Sequence, residues 1–117
     1  MTSSDFLKAL TATVEIDLIV TGRKSGQTSS RPVWFVQEEK KLYLLQVAGS
    51  DTKWFKNILV NPTIQITVQG KMLTAKSIPI TEQDKVKVVV EKFRRKHGPE
   101  EIKRYYTNFD VAVEMFL

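Results

Sequence analysis

Apolar and polar residues alternate along most of the 117-residue chain, and the period of that alternation divides it into elements. Phe6, Leu7 and Leu10 recur at helical spacing behind Ser3 and Ser4, either of which can cap a short helix to about Leu10. From Thr13 to Thr21, Val14, Ile16, Leu18 and Val20 alternate with Glu15, Asp17, Ile19 and Thr21, and a period of two predicts a strand with one buried face. A second strand is predicted over Thr28–Gln37 and a third over Leu42–Val47, with the charged tip Glu38-Glu39-Lys40-Lys41 between them. Pro32 falls inside the second strand. Lacking an N–H, it must face an edge, a bulge or a ligand.

Ala48-Gly49-Ser50-Asp51 breaks the third strand, Asp51 or Thr52 caps a helix running to about Val60, and Asn61-Pro62 ends it. Thr63–Gln69 and Met72–Ile80 read as a hairpin turned at Gly70-Lys71. Thr81, with Asp84 three positions on, resembles a capping box for a helix whose apolar stripe is Val86, Val89, Val90 and Phe93. Gly98-Pro99 stops that helix, a further helical turn covers about Glu100 to Tyr106, and Val111, Val113 and Met115 close the chain as a strand. Five or six mostly sequential antiparallel strands with two or three helices predict a mainly β fold, a small closed or half-closed barrel. Closure removes the edges that a small open sheet would expose.

Length favours one domain over residues 1–117. No cysteine is present, which removes disulfides, thiolate catalysis and sulfur-ligated metals together. His97 is the only histidine, so a multi-histidine metal site is not expected, and beside Arg94, Arg95 and Lys96 it reads as a solvated helix end. A formal net charge of +5 and an isoelectric point near 9.5 point to anionic partners: nucleic acid, acidic lipid or phosphorylated small molecules. Residues 1–6 do not resemble a signal peptide and no apolar run could cross a bilayer, so a soluble cytoplasmic protein is the expectation.

The candidate chemistry concentrates between Val20 and Phe35. Gly22 and Gly26 bracket Arg23, Lys24 and Ser25 between two strands. Glycines permit a tight turn and let backbone N–H groups approach an anion closely. Arg23, Lys24 and Arg31 add charge, and Ser25, Thr28, Ser29 and Ser30 add hydroxyls, an inventory suited to a phosphate or a polyanionic cofactor tail. The plain alternative is a solvated hairpin tip. Trp34 either stacks on a ligand ring or lines the barrel, and Trp54 reads mainly as core. Arg94 to His97 and Lys103-Arg104 could track a nucleic-acid backbone, with Trp34, Phe35 or Tyr43 stacking bases. Against that stand the interleaved Glu38, Glu39, Glu100 and Glu101 and the preference of helix C-termini for cations.

Thr21-Gly22-Arg23-Lys24-Ser25-Gly26, Arg31-Pro32-Val33, Trp54-Phe55-Lys56-Asn57-Ile58 and Asn61-Pro62 follow one another in an order that resembles the deazaflavin-dependent nitroreductase family. That family is a branch of the split-barrel flavin-binding superfamily that includes pyridoxamine-phosphate oxidase. The resemblance runs from about Leu18 to the end. It implies an antiparallel split β-barrel of the FMN-binding type, a homodimer, and a bound coenzyme F-420 (an 8-hydroxy-5-deazaflavin), with FMN as the alternative. It further implies hydride transfer to a small electrophilic acceptor such as a quinone, nitro compound or enone. An FMN-binding reductase or flavin carrier of the same fold is the second reading, and a basic nucleic-acid-binding barrel the third.

Carried over residue by residue, the resemblance puts the cofactor's anionic tail near Arg23, Lys24, Ser25 and the start of the following strand, with Arg31, Pro32 and Val33. Ser50 and Lys53 would reach the same anion, and the backbone near Ala48 and Gly49 would approach the ring. Tyr105 and Tyr106 match a tyrosine-bearing segment that faces ring and substrate, with Tyr106 as the catalytic candidate. Two departures stand out. The loop Ala48–Lys53 is shorter than the glycine-rich, proline-containing loop of the deazaflavin branch, and Asn108-Phe109-Asp110 stands where many members carry an arginine.

Overall fold

The computed structural model describes residues 4–46 and 49–117. Its strands are β1 (Glu15–Thr21), β2 (Thr28–Glu38), β3 (Lys41–Leu45), β4 (Thr63–Val68), β5 (Lys71–Lys76), β6 (Ile78–Ile80) and β7 (Ala112–Phe116). Its helices are α1 (Ser4–Thr11), α2 (Lys53–Val60), α3 (Gln83–His97) and α4 (Pro99–Tyr105). The strands form one order, β5-β4-β1-β2-β3-β7-β6, and every pairing is antiparallel.

The long strand β2 joins the two halves. Its residues 28–34 pair with β1, whereas Phe35 to Glu38 pair with β3. Pro32 lies opposite Asp17 in the part paired on one side only. Its missing N–H therefore falls on an open edge, where it costs no ladder bond.

The expected strand Met72–Ile80 is two strands, β5 and β6, separated by Ser77. Ser77 is buried, and both its N–H (2.8 Å) and its hydroxyl (2.7 Å) donate to the Pro62 carbonyl. Because β5 ends one side of the strand order and β6 the other, the chain changes sides at this residue and the sheet curls into a half-barrel. The sequence expectation of a third strand through Val47 also changes: β3 ends at Leu45, and Val47 and Ala48 lie outside the described residues. Thr81 and Asp84 do not open α3 as a capping box, since Glu82 holds the N-cap position and no side chain closes the cap.

Period two works as expected inside the barrel. Ile16, Leu18 and Val20 of β1, Ile64, Ile66 and Val68 of β4, Leu42 and Leu44 of β3 and Phe35 of β2 meet in one core. Trp54, Phe55 and Ile58 of α2 and Phe6 and Leu10 of α1 close it. A second core lies on the outer face of β2 and β3, where Val36 and Leu45 receive Val86, Val89, Val90 and Phe93 of α3 together with Ile102 and Tyr106. Each fully buried side chain of this size contributes about 1.5–3 kcal/mol. No helix among the described residues is long and apolar enough to cross a membrane.

Candidate active site

The glycine loop between β1 and β2 is a closed turn. Gly22 N–H donates to the Gln27 carbonyl (2.8 Å), Gly26 N–H to the Gly22 carbonyl (3.1 Å), and Gly26 adopts φ of +70°. Ser25 Oγ accepts from Gln27 N–H at 3.2 Å, so its hydroxyl helps to close the turn. The turn is fastened to α2: Asn57 Oδ1 accepts both the backbone N–H of Arg23 (3.2 Å) and its Nη1 (2.7 Å). Asn61 Nδ2 adds a bond to the Gly22 carbonyl at 3.4 Å. The side chains of Arg23, Lys24 and Ser25 are exposed, so the loop presents two cations to solvent on a braced backbone.

Arg31 stands opposite Leu18 in the next part of β2 and is half-buried. Its Nε is buried with no hydrogen-bond partner among the described residues. A donor left in that condition costs on the order of 1–3 kcal/mol, and a guanidinium offers a planar fork to a carboxylate or phosphate.

Further along β2 lies a cavity of about 250 Å³ lined by Pro32, Val33 and Trp34, by Glu15 of β1, Leu45 of β3 and Trp54 of α2, and by Tyr105 and Tyr106. Trp34 is held in place by rings. It stacks on His97 (centroids 4.6 Å apart, planes 12° apart) and meets Tyr105 edge-on at 5.5 Å. His97 Nε2 lies 3.2 Å from the Phe35 carbonyl, which also accepts from Lys96 Nζ at 2.8 Å. His97 is thus a half-buried wall behind Trp34, not the solvated helix end its basic neighbours suggest. Burial lowers its pKa foremost; the bond to Phe35 opposes that and the charge of Lys96 reinforces it. Burial also lowers the Lys96 pKa and pushes the Tyr106 hydroxyl up to about 12.

Ser50 has different company from that expected. Its N–H donates to Asp110 Oδ1 (2.9 Å) and its hydroxyl to Asp110 Oδ2 (2.5 Å). Gly49 is buried with φ of +57°, and a Cβ there would run into the Asp110 carboxylate and the Asn108 side chain.

The structure gathers Pro32, Val33, Tyr105 and Tyr106 at one cavity and sets Arg23, Lys24 and Ser25 in the loop at the far end of β2, with Arg31 between. Thr28 to Trp34 spans about 20 Å at the usual rise of a strand. Lys53 is exposed at the first position of α2, and Ala48 lies outside the described residues. Asn57 and Asp110 were visible in the sequence as a motif member and a departure, without partners. No sequence signal marks Gln46, which is wholly buried with both atoms of its amide lacking a partner among the described residues. A larger cavity of about 500 Å³ between β6 and α3 contains none of the residues expected to hold the cofactor.

An antiparallel β half-barrel with four helices is the fold of the split-barrel, FMN-binding-like proteins. Solved structures agree. An F-420-H2 dependent reductase superimposes with a TM-score of 0.66 at 20% identity, covering 87% of this chain and 93% of that one. A conserved hypothetical protein from Mycobacterium tuberculosis gives 0.72 at 17% identity, over 97% and 79%. A NimC/NimA family protein from Clostridium acetobutylicum gives 0.69 at 21% identity, over 96% and 77%. At these identities the likeness speaks to the fold. Family follows from the sequence model of the F-420H(2)-dependent quinone reductases, which matches residues 7–113; the chain belongs to that family. It is accordingly an oxidoreductase that depends on the deazaflavin coenzyme F-420. The residues present fit such a group: an aromatic cavity suits a flat ring, and Arg31, whose Nε has no partner among the described residues, stands on the same strand between that cavity and the two exposed cations of the loop.

Proposed function

We propose that the ring of the deazaflavin sits in the Trp34–Trp54–Tyr106 cavity, that Arg31, Arg23 and Lys24 hold its anionic tail, and that a small electrophile is reduced there: a quinone, a nitro compound or an enone. One observation carries this reading: the buried Arg31 Nε, without a hydrogen-bond partner among the described residues, on the strand that runs from cavity to cationic loop. When bound, the coenzyme supplies the hydride. The chain supplies placement and a dry wall, since Val33, Trp34, Trp54 and Tyr106 present apolar surface to the cavity. Tyr106, whose hydroxyl is pushed up to about 12 by burial, stays protonated at neutral pH and can donate to a substrate oxygen. Tyr105, half-exposed at the end of α4 and edge-on to Trp34, forms the rim. The open edge of β2 supports pairing with a second copy, and a single-domain homodimer in the cytoplasm completes the proposal.

The test is titration of the purified protein with oxidised coenzyme F-420 and, in parallel, with FMN, followed by ligand fluorescence at fixed salt. Tighter binding of the deazaflavin is expected, with a loss of about tenfold or more in Arg31→Ala, the worth of one charge-assisted hydrogen bond. Failure of both ligands to bind the unaltered protein would overturn the reading. Unchanged affinity in Arg31→Ala would remove Arg31 from the site.

A further inference from the structure

Among the described residues that line the Trp34–Trp54–Tyr106 cavity, Glu15 alone is charged; the rest are aliphatic or aromatic. Period two puts it there. Ile16, Leu18 and Val20 of β1 turn into the core, which leaves Glu15 on the other side of the strand. It stands directly across the ladder from Trp34, and side chains paired in that way share one face of the sheet. Among the described residues no ion pair or hydrogen bond engages its carboxylate; its bonds to the Thr13 hydroxyl are made by its backbone. Asp17, opposite Pro32, and Arg104, 5.6 Å from the Tyr105 ring, are charged but do not line the cavity. The cations of the loop lie the other way, since β1 runs from Glu15 to Thr21, roughly 20 Å, before Arg23 and Lys24 begin. The β1–β2 ladder thus carries a carboxylate at its cavity end and cations at its loop end.

We propose that Glu15 is a specificity-determining residue of this cavity, whose carboxylate favours electron acceptors bearing a positive charge and turns away those bearing a carboxylate or sulfonate. This rests on the ring-binding reading above. A single charge at the mouth of an apolar cleft acts through walls that screen it poorly, so its field is concentrated where the acceptor enters. Glu15 is itself exposed, and water on its outer side limits the effect to a few-fold for each unit of ligand charge. The chain's formal net charge of +5 favours anions everywhere else on the surface. A preference for cations at this cavity therefore runs against the overall charge and has a local source.

The experiment titrates the full chain, saturated with oxidised coenzyme F-420, with three nitroaromatic probes of one shape: (4-nitrobenzyl)trimethylammonium, 4-nitrobenzoate and the neutral 4-nitrobenzyl alcohol. Both tryptophans of the chain line the cavity, so quenching of their fluorescence reports binding there. The cation is expected to bind about tenfold tighter than the anion at low salt, and the ratio should shrink toward one at about 0.5 M salt. In Glu15→Gln the ratio should fall by about tenfold, with the neutral probe as the common reference. Glu15→Lys should carry it further in the same direction, and it serves if the glutamine variant does not fold. Turnover with reduced coenzyme should show the same shift in KM. Asp17→Asn removes a charge from the same strand outside the lining and should move the ratio less than half as far. An unchanged ratio in both Glu15 variants, tighter binding of the anion by the unaltered chain, or an equal shift in Asp17→Asn would overturn the proposal while leaving the cavity as the ring site. If neither coenzyme F-420 nor the neutral probe binds the unaltered chain, the ring-binding reading fails and this inference with it.

Discussion

Trp34 and His97 lie face to face, 4.6 Å between ring centroids, although 63 positions separate them in the chain. The contact joins the wall of the candidate cavity to the last turn of α3. It turns an isolated histidine into part of the site's support.

That support should depend on pH. His97 has its pKa lowered from 6.5, chiefly by burial, so near and below that value the unfolded chain binds more protons than the folded one. Its contribution to stability is complete above pH 6.5 and is lost as pH falls through that value. Melting temperature measured from pH 7.5 down to pH 5.5 should fall, and His97→Gln should flatten the decline. An equally steep decline in the variant would assign it to other groups.

Asn57 should matter to binding without touching the ligand. Its single Oδ1 holds Arg23 at two points, and Asn57→Ala frees the loop at a cost of about 1 kcal/mol in stability. Coenzyme F-420 affinity should drop several-fold and lose part of its dependence on salt. Substituting both Arg23 and Lys24 by alanine should reduce the salt dependence further, and an unchanged salt slope would take the loop out of the site.

Gly49→Ala should destabilise the fold by more than 1 kcal/mol, because the position needs a left-handed φ and abuts Asp110. In an Asp110→Ala background the steric part should vanish and the conformational part remain. A double-mutant cycle on unfolding free energies reads the difference. Additive effects would show that the crowding at Gly49 costs nothing.

Gln46→Met should leave the protein without ligand as stable or more so, because it removes a buried amide that has no partner among the described residues while keeping its volume. A rise of a few degrees in melting temperature is the expected size. A fall of that size would mean that the amide is satisfied in solution.

The barrel was legible because its inside is apolar and its outside polar, which writes a period of two into β1 and β4 directly. The division at Ser77 was not. Met72 to Ile80 reads as continuous strand, and what breaks it is a pair of bonds to Pro62, fifteen positions back. Family resemblance singles out Pro32, Val33, Tyr105 and Tyr106, and the structure brings these four together at one cavity. His97 and Asp110 were misjudged or left without a role because their partners, Trp34 and Ser50, are sixty or more positions away. Local patterns such as basic neighbours or a lone departure carry no information about contacts at that range.

One strand carries both Arg31 and Trp34, so β2 acts as a ruler with a fixed pitch of about 3.3 Å and two sides. A single residue inserted between them would rotate one to the opposite face. The spacing of cavity and cations can therefore change only in two-residue steps. Fine adjustment to a longer or shorter ligand must instead come from the Gly22–Gln27 loop, whose length no pleat constrains.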